Sequence, residues 1–452
     1  ILAQDTAPWV VLGLRSIGTS LGAVVATAGK VGAPPLTLRP TGHPFQRVIR
    51  LTSSLERQLF AQGPETRFAL VDEGPGLSGS SFGAVADWLE GHQIPPGHIH
   101  FFPGHAGDLG PQASERHRLR WQQKSRHVVA FETLLHPTNP HALSWFEDGV
   151  CPAELDLKDV AGGRWRAQHF SSEADWPPCH TLQERRKYLY RARGRIWLAK
   201  FAGLGRYGDS KWARARRLER LGLIPPIRDL RHGFLIGEWL TSARPYCLGM
   251  TVDRGALLET LTAYLNFLAR ECPARAAWGA SPEQLFAMAH FNIQERLGPE
   301  MAAGFEPWRG HLSALARRHR PVLTDNKMHA WEWLLLPDGR WLKADALDHH
   351  QGHDCIGAQD LAWDLEGACV ELELTETEQA ILERTLSLPA AVPPPQVRRF
   401  YRECYLAFQM GYFTLAADTL AAPQPEEAVR LRAAAQRYAE RLSRELIASL
   451  PS

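Results

Sequence analysis

Three groups of residues in this 452-residue chain are of the types and spacings that do chemistry. The first is FALVDEGPGLSGSSFGAVADWLE, residues 68–90, where an apolar run ends in Asp72 and Glu73 and passes through a Gly/Ser turn into a helical pattern. A loop that opens a helix offers backbone N–H groups to an anion. Ser78, Ser80 and Ser81 add hydroxyls, and Gly76 and Gly79 let the backbone come close. Two acids beside an anion loop suit the vicinal hydroxyls of a ribose, or a Mg²⁺ ion held with them, so the pair implies a sugar phosphate. The second group is IWLAKFAGLGRYGD, residues 196–209, where Lys200 stands in an apolar strand pattern. A lysine there is costly to bury without a counter-charge, and Glu219 in the following basic helix is the acid expected to meet it. The third is residues 320–368, dense in Asp325, Asp345, Asp348 and Asp360 and in the histidines of HHQGHDC, 349–355.

These groups must be positioned by a scaffold. In the first part, strand candidates at Pro8–Leu14, Arg67–Val71, His98–Phe102 and His127–Phe131 alternate with helical stretches at Ser20–Ala28 and Ser81–Glu90. That alternation predicts βαβ units and a mainly parallel sheet with ligands at the carboxyl ends of its strands. Residues 150–185 are less regular. Beyond them Lys187–Ala192 and Ile196–Phe201 read as an antiparallel pair across Arg193-Gly194, followed by a basic helix over 211–222 and a strand at Phe234–Leu240. A helix over Gly255–Ala269 is capped by Asp253, two strands flank Pro337-Asp338-Gly339, and the tail is helical. The expected layout is an α/β domain over 1–150, a linker or insertion over 151–180, and an α+β domain over 181–452.

Composition limits the partners. Lys+Arg 51 against Asp+Glu 49 leaves +2, too little for a nucleic-acid or anionic-lipid surface. A 44% hydrophobic content excludes wholesale disorder. No apolar run reaches membrane-spanning length, and the start shows no basic segment ahead of its apolar stretch, so a cytoplasmic setting is expected. Seven cysteines, with no CxxC pair, read as reduced thiols. Because the chain starts at Ile1 and reaches a strand within ten residues, further residues upstream are expected. Trp331, Trp333 and Trp341 read as core, and His98, His100 and His105 as a strand face and its loop. Zinc at the 349–355 cluster is disfavoured, because three histidines within five residues need not face one point.

Residues 68–90 resemble the phosphoribosyl-diphosphate (PRPP) signature of type I phosphoribosyltransferases. VVLGLRSIGTSLGA, residues 10–23, is similar to that family's diphosphate loop, and the two segments stand in the family's order. The resemblance implies a parallel-sheet domain that binds PRPP and Mg²⁺. Arg15 and the donors Ser16, Gly18, Thr19 and Ser20 would sit on the diphosphate, Asp72 and Glu73 on the ribose and metal, and Gly76, Ser78, Gly79, Ser80 and Ser81 on the 5-phosphate. The family's acid within the loop is missing here, since Gly74-Pro75-Gly76-Leu77 carries none. Arg39, His43 or Arg47 is a candidate contributor from residues 38–47.

Residues 320–368 resemble the catalytic region of aminoglycoside- and choline-kinase-like phosphotransferases, and the order of elements extends the likeness over roughly 180–450. The resemblance implies a two-lobed, protein-kinase-like domain. ATP would be held by Lys200 paired with Glu219 and by the segment Gly233–Leu240, Glu238 included. Asp325 would be the catalytic base, with Asp345 or Asp348 as the Mg²⁺ ligand. The family's metal-binding Asn falls on Ala330, which leaves Glu332 or His329 as substitutes. Together the two resemblances imply glycosyl transfer from PRPP and ATP-dependent phosphorylation of a small molecule, consecutive steps on a nucleoside-like compound being suggested by the fusion. The alternative is a regulatory protein that binds PRPP and ATP without turnover. The expected partners are small molecules, with neither nucleic acid nor membrane, and homo-oligomerisation is left open.

Overall fold

In the computed structural model the chain divides into two units, Ile1–Asn139 and Pro140–Ser452. The structure describes residues 2–74, 76, 78–110, 113–135, 145–146, 157–347, 349–351, 356–386 and 394–448. Asp348, Pro75, Leu77, 352–355 and 151–156 lie outside the described residues.

The first unit is built on a four-stranded parallel sheet of β1 (Trp9–Leu14), β2 (Leu36–Leu38), β5 (Arg67–Asp72) and β6 (Ile99–Pro103), in the order β2-β1-β5-β6. The two central strands are buried on both faces, which is why they read as unbroken apolar runs. Helix Ile17–Ala28 lies over β1 and β5 on a path cleared by glycine: a Cβ on Gly18 would meet the Val71 carbonyl oxygen at 2.3 Å. The expected strand at His127–Phe131 does not form. A single parallel bridge joins Arg126 to Phe101, and residues Phe131–Leu134 turn into a short helix. A hairpin absent from the sequence reading, β3 (Thr41–His43) with β4 (Gln46–Val48), follows β2 and packs on helix Ser80–Gly91.

The second unit opens with a five-stranded antiparallel sheet, order β10-β11-β9-β8-β7, of β7 (Lys158–Asp159), β8 (Lys187–Ala192), β9 (Arg195–Phe201), β10 (Ile227–Arg231) and β11 (Phe234–Glu238). Of the stretch 151–180, expected to be a linker or insertion, residues 157–180 are described and belong to this unit. β7 pairs with β8, and Arg166 makes a buried two-pronged ion pair with Glu427 on the tail helix Pro425–Ile447. Helix Arg206–Arg220 follows β9, five residues earlier than its basic run suggested. β12 (Arg244–Pro245), β14 (Trp333–Leu335) and β15 (Trp341–Lys343) form a small sheet, and β13 (Pro321–Val322) pairs with β16 (Gln359–Asp360). Helices Arg254–Glu271, Pro282–Leu297, Leu361–Glu371, Pro395–Leu420 and Pro425–Ile447 complete the unit, with Asp253 capping the first of them as expected. Its two large cores are formed by these helices and the strands they cover. No helix among the described residues is long and apolar enough to cross a membrane.

Candidate functional site

Lys200 sits on β9 directly across the ladder from Lys187 on β8. Like charges so placed repel, and the fold answers with one carboxylate for each. Glu184 accepts from Lys187 Nζ at 2.9 Å, and Asp345 stands 2.5 Å from Lys200 Nζ. Burial penalises both charged forms, yet Glu184 holds Lys187 above its ordinary range and Lys200 keeps Asp345 well below the carboxylate range. The expected Lys200–Glu219 pair is not formed. Glu219 is thirteen residues into a helix that begins at Arg206, about 20 Å along its axis, and it accepts from Ile227 N while pairing with Arg216. Sequence reasoning missed Asp345 as the partner because 145 residues separate it from Lys200.

Both lysines line a cleft of about 550 Å³. Part of its lining is apolar, with Leu198, Ile227 and Leu235 from the sheet and Leu334 and Ala346, and Glu238, Trp239 and Leu240 also line it. Glu238 is turned to Arg195, 2.7 Å away. Lys327, Trp331, Glu332, Tyr412 and Phe413 are further lining residues.

Asp325 does not line this cleft. Its side chain is 0% exposed, and it accepts from Tyr264 Oη at 2.6 Å and from the Lys327 amide, with Lys343 Nζ 3.3 Å away. Asp325, expected as the catalytic base, has both oxygens partnered inside the protein. Burial would raise this carboxyl, but Lys343 and His349 hold it well below the usual range. His349 connects it to the cleft. Its Nδ1 lies 3.0 Å from Asp325 Oδ1 and its Nε2 3.3 Å from Asp345 Oδ2, and its own ring lines the cleft. Burial would lower this imidazole; the Asp345 carboxylate raises it above its ordinary value.

Helix Leu361–Glu371 fixes the loop that bears Asp325. Asp360 caps the helix, and Asp364 accepts from the amides of Asp325 and Asn326 at 2.6 and 2.9 Å. Burial and the nearby Asp325 charge push Asp364 up to about 7. Asn326, at φ 64°, and Thr324 both donate to the Gly357 carbonyl. Of the two open metal ligands, Asp345 faces the cleft, while Asp348 lies outside the described residues. Among the described residues there is no cluster of three or more His, Cys, Asp or Glu side chains arranged for a metal. Mg²⁺ needs only one or two carboxylates beside phosphate oxygens and water, and the Asp345 carboxylate fits that role. Ala330 is buried and has no donor to add, and Glu332 is turned toward Lys343.

In the first unit, the loops after β1, β5 and β6 gather at the carboxyl ends of adjacent strands. Asp72 ends β5, Glu73 follows it, and burial raises Asp72 despite backbone N–H bonds from Glu73 and Gly18. Arg15 donates through Nε and Nη2 to Thr37 Oγ1. Helix Ser80–Gly91 opens after Gly79, at φ 66°, and helix Ile17–Ala28 carries Gly18, Thr19 and Ser20 in its first turn. Two of the expected phosphate hydroxyls are engaged: Ser78 and Ser80 both donate to the Pro44 carbonyl at the tip of the β3–β4 hairpin. Ser81 is half-buried at the helix start, and Gly76 is exposed. Of the hairpin candidates, Arg47 donates to the Pro40 carbonyl and His43 Nδ1 accepts from the Phe45 amide. His105, in the loop after β6, packs its ring against Gly74.

No protein-family model and no curated protein matches the sequence. Among solved structures, the chain is similar to an aminoglycoside phosphotransferase-like protein of Ralstonia eutropha. There the identity is 12% and the TM-score 0.42, over 69% of this chain and 98% of that one. It is also similar to the choline kinase LicA of Streptococcus pneumoniae, with 14% identity, TM-score 0.39, and 56% and 89% of the chains covered. The macrolide 2'-phosphotransferase MphH of Brachybacterium faecium is a third, with 19% identity, TM-score 0.36, and 56% and 88% covered. The phosphoribosyltransferase resemblance rests on the sequence segments and the strand-end geometry alone.

Proposed function

We propose that the second unit is an ATP-dependent phosphotransferase acting on a hydroxyl of a small molecule. The observation that carries this reading is the Lys200–Asp345 pair, set in a cleft lined by apolar side chains and by His349, which links Asp345 to the buried Asp325. Lys200 and Lys187, which both line the cleft, would meet nucleotide phosphates, and its apolar lining suits a flat base. Phosphoryl transfer demands positioning and charge neutralisation more than covalent help from the protein. The acceptor oxygen bonds to the γ-phosphorus as the bond from that phosphorus to the β–γ bridging oxygen breaks. ADP leaves, and the hydroxyl proton passes to an oxygen of the transferred phosphoryl group or to water, because Asp325 has both oxygens partnered inside the protein. Mg²⁺, held by Asp345, would neutralise phosphate charge. The test is titration calorimetry with Mg²⁺ and the non-hydrolysable analogue AMP-PNP, alongside turnover of γ-labelled ATP. Binding that is lost in Lys200→Met supports the reading; no binding at millimolar AMP-PNP sinks it.

The burial of Asp325 favours a second reading, in which this cleft binds ATP without turnover. AMP-PNP binding with no label transfer to any acceptor would select it.

For the first unit we propose a site for phosphorylated pentose at the β1, β5 and β6 strand ends. There Asp72 and Glu73 would hold ribose hydroxyls and Mg²⁺, and Arg15 would neutralise a leaving diphosphate. The supporting observation is that both expected loops fall side by side on adjacent strands β1 and β5. Exchange of labelled diphosphate into PRPP, absent in Asp72→Asn, tests glycosyl transfer.

A further inference from the structure

The cleft has two properties that together define what it can hold. The first is charge. Four carboxylates line the cleft among the described residues, and each has a cation within 4 Å: Glu184 with Lys187, Glu238 with Arg195, Asp345 with Lys200, and Glu332 with Lys343, which it shares at 3.8 Å with the nearer Asp325. A cationic acceptor, an aminated sugar or a quaternary ammonium, would have to leave its water without gaining an unpaired carboxylate. The second is ring surface. Trp331 is half-buried and lines the cleft, whereas its neighbours Trp333 and Trp341 are buried core. One face of Trp331 is covered by His329, stacked at 4.5 Å between centroids and 16° between planes. His329 is itself buried, which keeps its imidazole neutral. Tyr412 and Phe413, in ring contact with each other, also line the cleft, and Tyr412 Oη donates to Gln183.

From these ring contacts and paired charges we infer that the phosphoryl acceptor is a neutral or anionic molecule carrying a flat heteroaromatic ring and a hydroxyl, a nucleoside-like compound stacked on Trp331. The inference rests on the phosphotransferase reading of the same cleft, and it assigns Trp331 a binding role that the sequence did not suggest. A ring on Trp331 gains stacking contact whatever its hydrogen-bonding edge. An aminated sugar or choline gains only a cation–π contact, in a cleft whose carboxylates are taken.

The test is calorimetric titration of the full chain, with and without saturating Mg²⁺ and AMP-PNP to fill the nucleotide slot. The probes are inosine, uridine, choline, kanamycin and ribose. The expected result is binding of a nucleoside to the loaded protein with none of choline, kanamycin or ribose. Trp331→Leu should weaken that binding about tenfold, and Trp331→Phe should restore it to within about threefold. Melting temperatures and circular dichroism check that both variants are folded. Preference for choline or kanamycin overturns the inference. So does nucleoside binding that is indifferent to Trp331→Leu, or no nucleoside binding to loaded protein. If AMP-PNP itself fails to bind, the phosphotransferase reading fails and the acceptor assignment falls with it; failure of this inference alone is AMP-PNP binding with no Trp331-dependent nucleoside binding.

Discussion

At the residue scale the second unit solves a problem of buried charge. Lys187, Lys200 and Lys343 all lie inward, and Glu184, Asp345 and Asp325 answer them. Asp345→Asn leaves Lys200 facing only a neutral amide, so phosphoryl transfer should fall by about 100-fold or more, measured as label transfer at saturating ATP. Asp325→Ala removes the partner of a fully buried Lys343 and should cost about 3–5 kcal/mol of stability in urea melts. Glu371 offers a pH test remote from the cleft. It accepts from Tyr405 and Tyr438 at 2.8 Å each, and burial pushes it up to about 7. Its folded value lies above its unfolded one, so the folded state holds the proton more tightly. The contribution is full below about pH 4.5 and is lost as pH rises through about 7. Glu371→Gln should therefore flatten the decline in melting temperature between pH 5 and pH 8 relative to the native chain. An unchanged slope would mean the carboxyl titrates normally.

At the element scale, close approach decides which segments meet. Helix Ile17–Ala28 approaches the first sheet through glycines: a Cβ on Gly18 would lie 2.3 Å from the Val71 carbonyl oxygen, and one on Gly13 2.3 Å from that of Gly18. Gly18→Ala should lift the helix and cost about 1–3 kcal/mol, read as a lower melting point together with weaker PRPP stabilisation. In the second unit, residues 157–185 are strapped to the tail helix. Arg166 bonds Glu427 through both Nη atoms, Cys179 N donates to the same carboxylate, and Trp176 packs against Arg166 at 4.6 Å. This strap carries Trp165, His169 and Glu184 into the cleft wall. Glu427→Ala leaves the Arg166 charge buried and should destabilise by about 3–5 kcal/mol; limited proteolysis should then cut within 165–185 first.

At the scale of the whole molecule, each unit has its own hydrophobic core, the first over β1, β5 and β6 and the second over its helices. Two cores predict two calorimetric transitions, each answering to its own ligand. AMP-PNP with Mg²⁺ should raise one transition and PRPP with Mg²⁺ the other, each by about 2.7 kcal/mol at 100 times its dissociation constant. A single transition moved equally by both ligands would contradict separate sites.

Much of this architecture is written locally in the chain. The buried parallel strands, the β8–β9 pair across Arg193-Gly194, the Asp253 cap and the two acids ending β5 all follow from runs of a few residues. Lys200's need for a counter-charge was also legible, because an apolar strand cannot hold a lone ammonium. What tertiary structure alone decided is which distant group meets which. Pairing across 145 residues chose Asp345 over the nearer Glu219. Packing turned Asp325 inward against Tyr264 and Lys343, left Trp331 at the cleft while Trp333 and Trp341 sank into core, and spent Ser78 and Ser80 on the Pro44 carbonyl. Local sequence sets backbone geometry through short-range sterics and hydrogen bonds. The direction a side chain faces, and the charge it meets there, depend on elements brought together only when the cores close.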